Sequence, residues 1–130
     1  MKHYQSKIVK GVSVNEIRPK VEEELKKVGF GVLTEINIQK VMKEKLDKDY
    51  LPHLILGACS PVYADKILTV DPSIGTLLPC NVTLRDLGDG NVEVSMMNIM
   101  KVMKVVDNEK VVSIGKEVQE KLASVLKNLG

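Results

Sequence analysis

The chain has 130 residues, 44% of them hydrophobic and 28% charged, ordinary values that exclude a disordered or fibrous chain. One core suffices at this size, since such a domain buries roughly two thirds of its unfolded surface, and residues 1–130 read as a single domain. Net charge is +2, from 19 Lys plus Arg against 17 Asp plus Glu. The signs alternate through Lys43, Glu44, Lys45, Asp47 and Lys48, and the aromatic residues are only Phe30, Tyr4, Tyr50 and Tyr63. Without a basic stripe interleaved with stacking rings, no nucleic-acid partner is expected.

Met1 to Ser6 holds no apolar run of the signal-peptide kind, and no stretch reaches membrane-spanning length, so a cytoplasmic protein with no membrane partner is expected. Two cysteines in a chain able to build a full core are not a disulfide framework. Both thiols are expected to be free.

In chain order, Tyr4 to Val9 alternates enough around Ile8 for a first strand at a sheet edge. Ser13 and Glu16 have capping-box spacing, and Val14, Ile17, Val21, Leu25 and Val28 then step by three and four along a helix that Gly29 ends. Phe30 to Ile36 is short, β-prone and apolar on both faces, which predicts a strand buried against that helix. After Asn37, a candidate N-cap, Ile38, Val41, Met42 and Leu46 repeat at helical spacing. Leu54 to Cys59 is a further apolar strand, and Ser60-Pro61 is a good start for a short helix to about Leu68.

Asp71-Pro72-Ser73-Ile74-Gly75 is turn chemistry, and Thr76 to Leu87 reads as one strand with an early Pro79 that cannot donate to a ladder. Gly88-Asp89-Gly90 is the best hairpin signal. Beyond it Val92, Val94 and Met96 alternate with Asn91, Glu93 and Ser95, a strand with one wet face. The last helix begins near Asp107 or Asn108 and carries Val111, Ile114, Val118, Leu122, Val125 and Leu129 on one stripe. The expected fold is α+β, with a mainly antiparallel sheet of about five strands. Two longer helices, about 13–28 and 108–128, pack on one face and two short helices are inserted.

Cys59 stands where an apolar strand gives way to a helix. A sulfur facing the first free N–H groups of that helix would be stabilised as thiolate, which is how cysteines become nucleophiles or redox centres. The blander reading, a small buried apolar side chain, is favoured about two to one. Cys80 follows Pro79 at a second strand irregularity. The spacing of Cys59 and Cys80 is far wider than Cys-x-x-Cys, so any pairing must come from tertiary folding. His53 shares strand parity with Cys59 but lies roughly 20 Å along the strand, which excludes a direct pair.

No metal site and no cofactor are expected; Cys59 and Cys80, with a histidine, are low-probability zinc candidates. Glu35 and Lys45 stand at element ends, where an acid, a base or an anion anchor could be placed, although such charges are usually solvated. Met96, Met97, Met100 and Met103 could offer thioethers to copper(I), but adaptable packing is the better reading. Phosphate-loop, Gly-x-Gly-x-x-Gly, Gly-x-Ser-x-Gly and His-Glu-x-x-His patterns are all missing, which disfavours nucleotide-driven and common hydrolytic chemistry.

Gly29 to Glu35, with Lys45, then Leu56 to Pro61 with Ala64, then Leu77 to Val82, together resemble the bacterial and archaeal family catalogued as domain of unknown function 302. The resemblance implies a compact α+β fold, generally a homodimer, and no established activity. It raises the weight of Glu35, Lys45, Cys59, Pro61, Pro79, Cys80 and Asn81 without giving them roles. Ser60 stands where Asn is usual, and Met97-Asn98 where Asp-Pro commonly follows the last strand.

The reading that results is a homodimeric small-molecule or anion binding module, leaning away from an enzyme, with these seven residues lining or bracing a pocket near Cys59 and Cys80. No catalytic residue is assigned. The alternatives are a thiol-dependent redox or metal-binding protein using the two cysteines, and a purely structural or interaction domain. Whether Cys59 and Cys80 meet separates them.

Overall fold

The computed structural model describes residues 2–130. Five strands, β1 (Tyr4–Lys10), β2 (Gly31–Asn37), β3 (His53–Cys59), β4 (Cys80–Asp86) and β5 (Asn91–Met97), form one sheet in the order β1-β5-β4-β3-β2. Every neighbouring pair is antiparallel. The helices are α1 (Val14–Lys27), α2 (Ile38–Leu46), α3 (Pro61–Val70), α4 (Ile99–Met103) and α5 (Glu109–Lys127). Among the described residues no helix is long and apolar enough to cross a membrane.

Local chemistry starts and stops these elements. The Glu16 N–H donates to Ser13 Oγ at 3.1 Å while the Ser13 N–H donates to Glu16 Oε1 at 3.0 Å, the reciprocal capping box expected from their spacing. Asn37, Asn98 and Asn108 accept from first-turn N–H groups of α2, α4 and α5. Gly88 and Gly90 both take positive φ in the β4–β5 hairpin, and the Leu87 N–H closes it onto the Asn91 carbonyl at 3.0 Å.

Leu54, Leu56 and Ala58 of β3, Cys80, Val82 and Leu84 of β4, and Val92, Val94 and Met96 of β5 form the sheet's contribution to the core. Val14, Ile17, Val21 and Leu25 of α1 and Val111, Val118, Leu122 and Val125 of α5 pack in the same cluster. The expected α+β arrangement therefore stands. Burying each of the Val, Leu, Ile and Met side chains among them contributes on the order of 2 kcal/mol.

Three local expectations need correction. The predicted strand from Thr76 to Leu87 begins only at Cys80, because Pro72–Leu77 forms a 3₁₀ turn started by Asp71, whose carboxylate accepts from the Ser73 N–H at 3.0 Å. The Leu78–Pro79 peptide that follows is cis. Strand β2 is not buried on both faces: it is a sheet edge, with Leu33 68% exposed and Ile36 46%. Its register against β3 shifts between Val32 and Thr34, which pushes Leu33 out of the ladder. Helix α4, finally, has no counterpart among the predicted elements. Its Ile99 and Met103, and Met96 just before it, are buried in the core, which makes packing the role of at least those two methionines.

Candidate functional site

Cys80 opens β4 directly opposite Ala58 of β3, so Cys59 follows Cys80's partner by one residue. Both side chains border a single cavity at this end of the sheet. Antiparallel pairing, not sequence proximity, thus unites the two cysteine motifs. Phe30 and Tyr63 form part of the wall, their rings stacked at 6.3 Å between centroids and 23° between planes. Ile67 of α3, Ile99 and Met103 of α4, and Gly115 and Val118 of α5 close the remainder.

The free space is about 30 Å³, room for roughly two water-sized spheres. No charged side chain borders it. Gly115 is what lets α4 approach: a Cβ there would stand 3.1 Å from Met103 Cγ and 3.4 Å from Ile99 Cγ2. A larger residue at 115 would push the two helices apart.

The electrostatics weigh against thiolate activation. Cys59 does immediately precede Ser60, the N-cap of α3, yet burial pushes its thiol above the ordinary value. Burial likewise raises Cys80, to about 11, with the neighbouring Cys59 charge adding to the effect. Desolvation disfavours the charged thiolate, which raises the thiol pKa. For both thiols burial favours the protonated form. Among the described residues no three His, Cys, Asp or Glu side chains converge.

Of the seven candidate residues, only Cys59 and Cys80 border the cavity. Pro79 braces the adjoining strand: a Cβ at Gly57 would stand 2.8 Å from Pro79 Cγ. Pro61 is the exposed first residue of α3. Glu35 lies elsewhere, on β2, where its carboxylate accepts from Arg18 Nε of α1. Lys45 is exposed on α2, and Asn81 is exposed on β4, one position beyond Cys80 and so on the opposite face. A pocket combining all seven does not form, because strand alternation and helix position separate them. His53 sits opposite Arg85, six residues along β3 from Cys59, so the two are not a pair.

The α4 and α5 residues of the wall escaped the sequence reading. One signal was present: Gly115 interrupts the stripe of a long helix between Val111 and Val118, the usual mark of a close approach.

A family model described as a domain of unknown function, DUF302, matches residues 5–129. An uncharacterised protein of Aquifex aeolicus (strain VF5) is 36% identical over 50 residues, which cover 38% of this chain and 35% of that protein. The crystal structure of an uncharacterised conserved DUF302 protein from Bacillus stearothermophilus superposes with a TM-score of 0.92 over 100% of both chains, at 24% identity. The chain belongs to the DUF302 family.

Proposed function

We propose that this DUF302 chain is a binding module whose site is the cavity between Cys59 and Cys80, and that it works as a homodimer. The observation that carries the reading is convergence: two cysteines from separate motifs meet on the wall of one apolar cavity. An apolar cavity leaves part of its lining without contact partners and gains dispersion energy when filled. The occupant is accordingly a small uncharged group of a few heavy atoms. An anion is disfavoured, since Lys45 is remote and no cation borders the space.

Thiol chemistry is the weaker reading, because both thiols hold their protons above the ordinary value. The homodimer is supported by large apolar side chains left in solvent, Leu33, Val62 and Val105 among them, which a second copy would cover.

Xenon under pressure is the direct probe of the cavity. Amide shifts confined to residues around Cys59, Ala64 and Cys80, lost in an Ala64→Val variant that fills the space and still folds, are the expected result. Shifts that are absent, or that survive the filled cavity, reject the site. Sedimentation equilibrium tests the dimer, and a single monomeric species across concentrations rejects it.

A further inference from the structure

The two edges of the sheet are built differently. Lys7 and Lys10 stand on β1, and Lys7 Nζ donates to the Lys127 carbonyl at 3.2 Å, which ties the end of α5 to this edge. Lysines and a covering element are common protections of an edge strand against pairing with another chain. The other edge, β2, reads Gly-Val-Leu-Thr-Glu-Ile-Asn and holds neither lysine nor proline. No strand lies beyond it. Its single charge, Glu35, is engaged by Arg18. Leu33 and Ile36 are exposed, and Ile36 pairs with Ile55 of β3.

The same lack of cover continues past the strand. From Gly31 to Leu51 no residue is buried. A helix as short as α2 draws most of its stability from packing an apolar face, and α2 has no buried residue. Gln39 Nε2 donates to the Tyr50 carbonyl at 3.0 Å, which folds the loop after α2 back onto the helix. Val41, Leu46, Tyr50 and Leu51 are all left in solvent. Over residues 31–51 four lysines balance four acidic residues, and Lys43 Nζ lies 3.0 Å from Asp47 Oδ1 and 3.1 Å from Asp49 Oδ1. A surface of zero net charge meets its own copy without repulsion, whereas an acidic partner, a basic partner or an anionic bilayer gains nothing from it over long range.

We infer that β2 and α2 form the interface through which two copies of this chain pair about a two-fold axis. The inference rests on the homodimer proposed above and adds the surface that makes it. Each β2 runs antiparallel to its counterpart, so the two sheets join edge to edge. The register shift at Leu33 confines the shared ladder to Thr34–Asn37. Leu33, Ile36 and the apolar residues of α2 leave water in the same step. A specific interface takes about 20–30 residues from each partner, and the uncovered segment 31–51 is of that size. Pairing uses up both β2 edges and leaves the lysine-bearing β1 edges outermost, so the assembly closes as a dimer and does not grow into a fibre.

Sedimentation equilibrium and amide hydrogen exchange of the full chain test the inference. The parent chain should dimerise, with β2 amides exchanging more slowly in the dimer than in the monomer. Ile36→Lys and Leu33→Asp each set like charges against each other across the two-fold axis, and each should weaken the dimer about a hundredfold or more. Ile8→Lys, on the opposite edge, should leave it intact. All three positions are exposed, and thermal melting verifies that the variants fold. A monomeric parent chain, whether it stays free or floats with phosphatidylserine vesicles, overturns the homodimer reading and this interface together. A dimer that survives both β2 variants, that Ile8→Lys dissociates, or that leaves β2 exchange unchanged keeps the homodimer and overturns the interface alone.

Discussion

Gly57 and Pro79 are in contact across the β3–β4 boundary so closely that residue 57 has no room for a side chain. A Cβ there would stand 2.8 Å from Pro79 Cγ and would overlap Thr34 Oγ1 on the other side. The backbone conformation of Gly57 is ordinary, so the requirement is steric and not a matter of positive φ. Gly57→Ala should therefore destabilise the fold by about 1–3 kcal/mol, the usual cost of overpacking. Adding Thr34→Ala should return part of that loss, and urea unfolding of the two variants measures it. Equal stability of Gly57→Ala and the parent chain would remove Pro79 as a brace.

The raised thiols fix a pH dependence. Cys80 keeps its proton to about 11 in the folded chain, against an ordinary value of 9.0. Between those values the unfolded chain ionises first, so folding stability is fully present below pH 9 and falls as pH rises toward 11. The slope contributed by this one thiol reaches at most about 1.4 kcal/mol per pH unit. Urea midpoints of the parent chain should fall more steeply through this window than those of Cys80→Ala. Iodoacetamide labelling of the native protein should likewise accelerate only at alkaline pH, with half-buried Cys59 reacting before buried Cys80.

Much of this architecture was legible in the residues because it is written locally. The Ser13–Glu16 box, the α1 and α5 stripes, the Gly88–Gly90 hairpin and the alternation of β5 each depend on neighbours a few positions apart. Strand β2 was misread for the opposite reason: its apolar Leu33 and Ile36 suit a buried strand, and only the sheet order reveals that it is an edge. The site divides in the same way. Pro79-Cys80 and Cys59-Ser60-Pro61 were visible as motifs, but their convergence depends on the pairing of Ala58 with Cys80. The direction of the thiol shift depends on burial that periodicity does not report. Glu35, Lys45 and Asn81 share with the cysteines only the motifs of one family, and shared ancestry does not require a shared cavity.

His53 titrates in the opposite sense to the cysteines. Burial, and secondarily the Arg85 charge, lower its pKa from the ordinary 6.5. The unfolded chain thus takes up the proton first as pH falls, and the stability contributed by neutral His53 is present above pH 6.5 and lost below it. The His53 ring-proton titration followed by NMR should show a midpoint below 6.5. Arg85→Gln should raise it only in part, since burial is the larger cause. A midpoint that reaches the ordinary value in Arg85→Gln would show that charge outweighs burial at this position.

Glu35 is best understood as a tether between the edge strand and α1. Its carboxylate accepts from Arg18 Nε, and Arg18 Nη1 also donates to Glu22 one helical turn away at 3.1 Å. The Arg18 and Glu35 side chains remain 28% and 42% exposed, and solvent-exposed pairs of this kind contribute about 0.2–1 kcal/mol. A double-mutant cycle with Arg18→Met and Glu35→Gln should give a coupling energy in that range, shrinking in about 1 M salt, where the screening length falls to about 3 Å. The xenon response around Cys59 and Cys80 should be unchanged in both single variants, because neither residue borders the cavity. Loss of that response in Glu35→Gln, with stability retained, would instead join Glu35 to the cysteine site through a movement of β2, and the tether would then be too small a role for it.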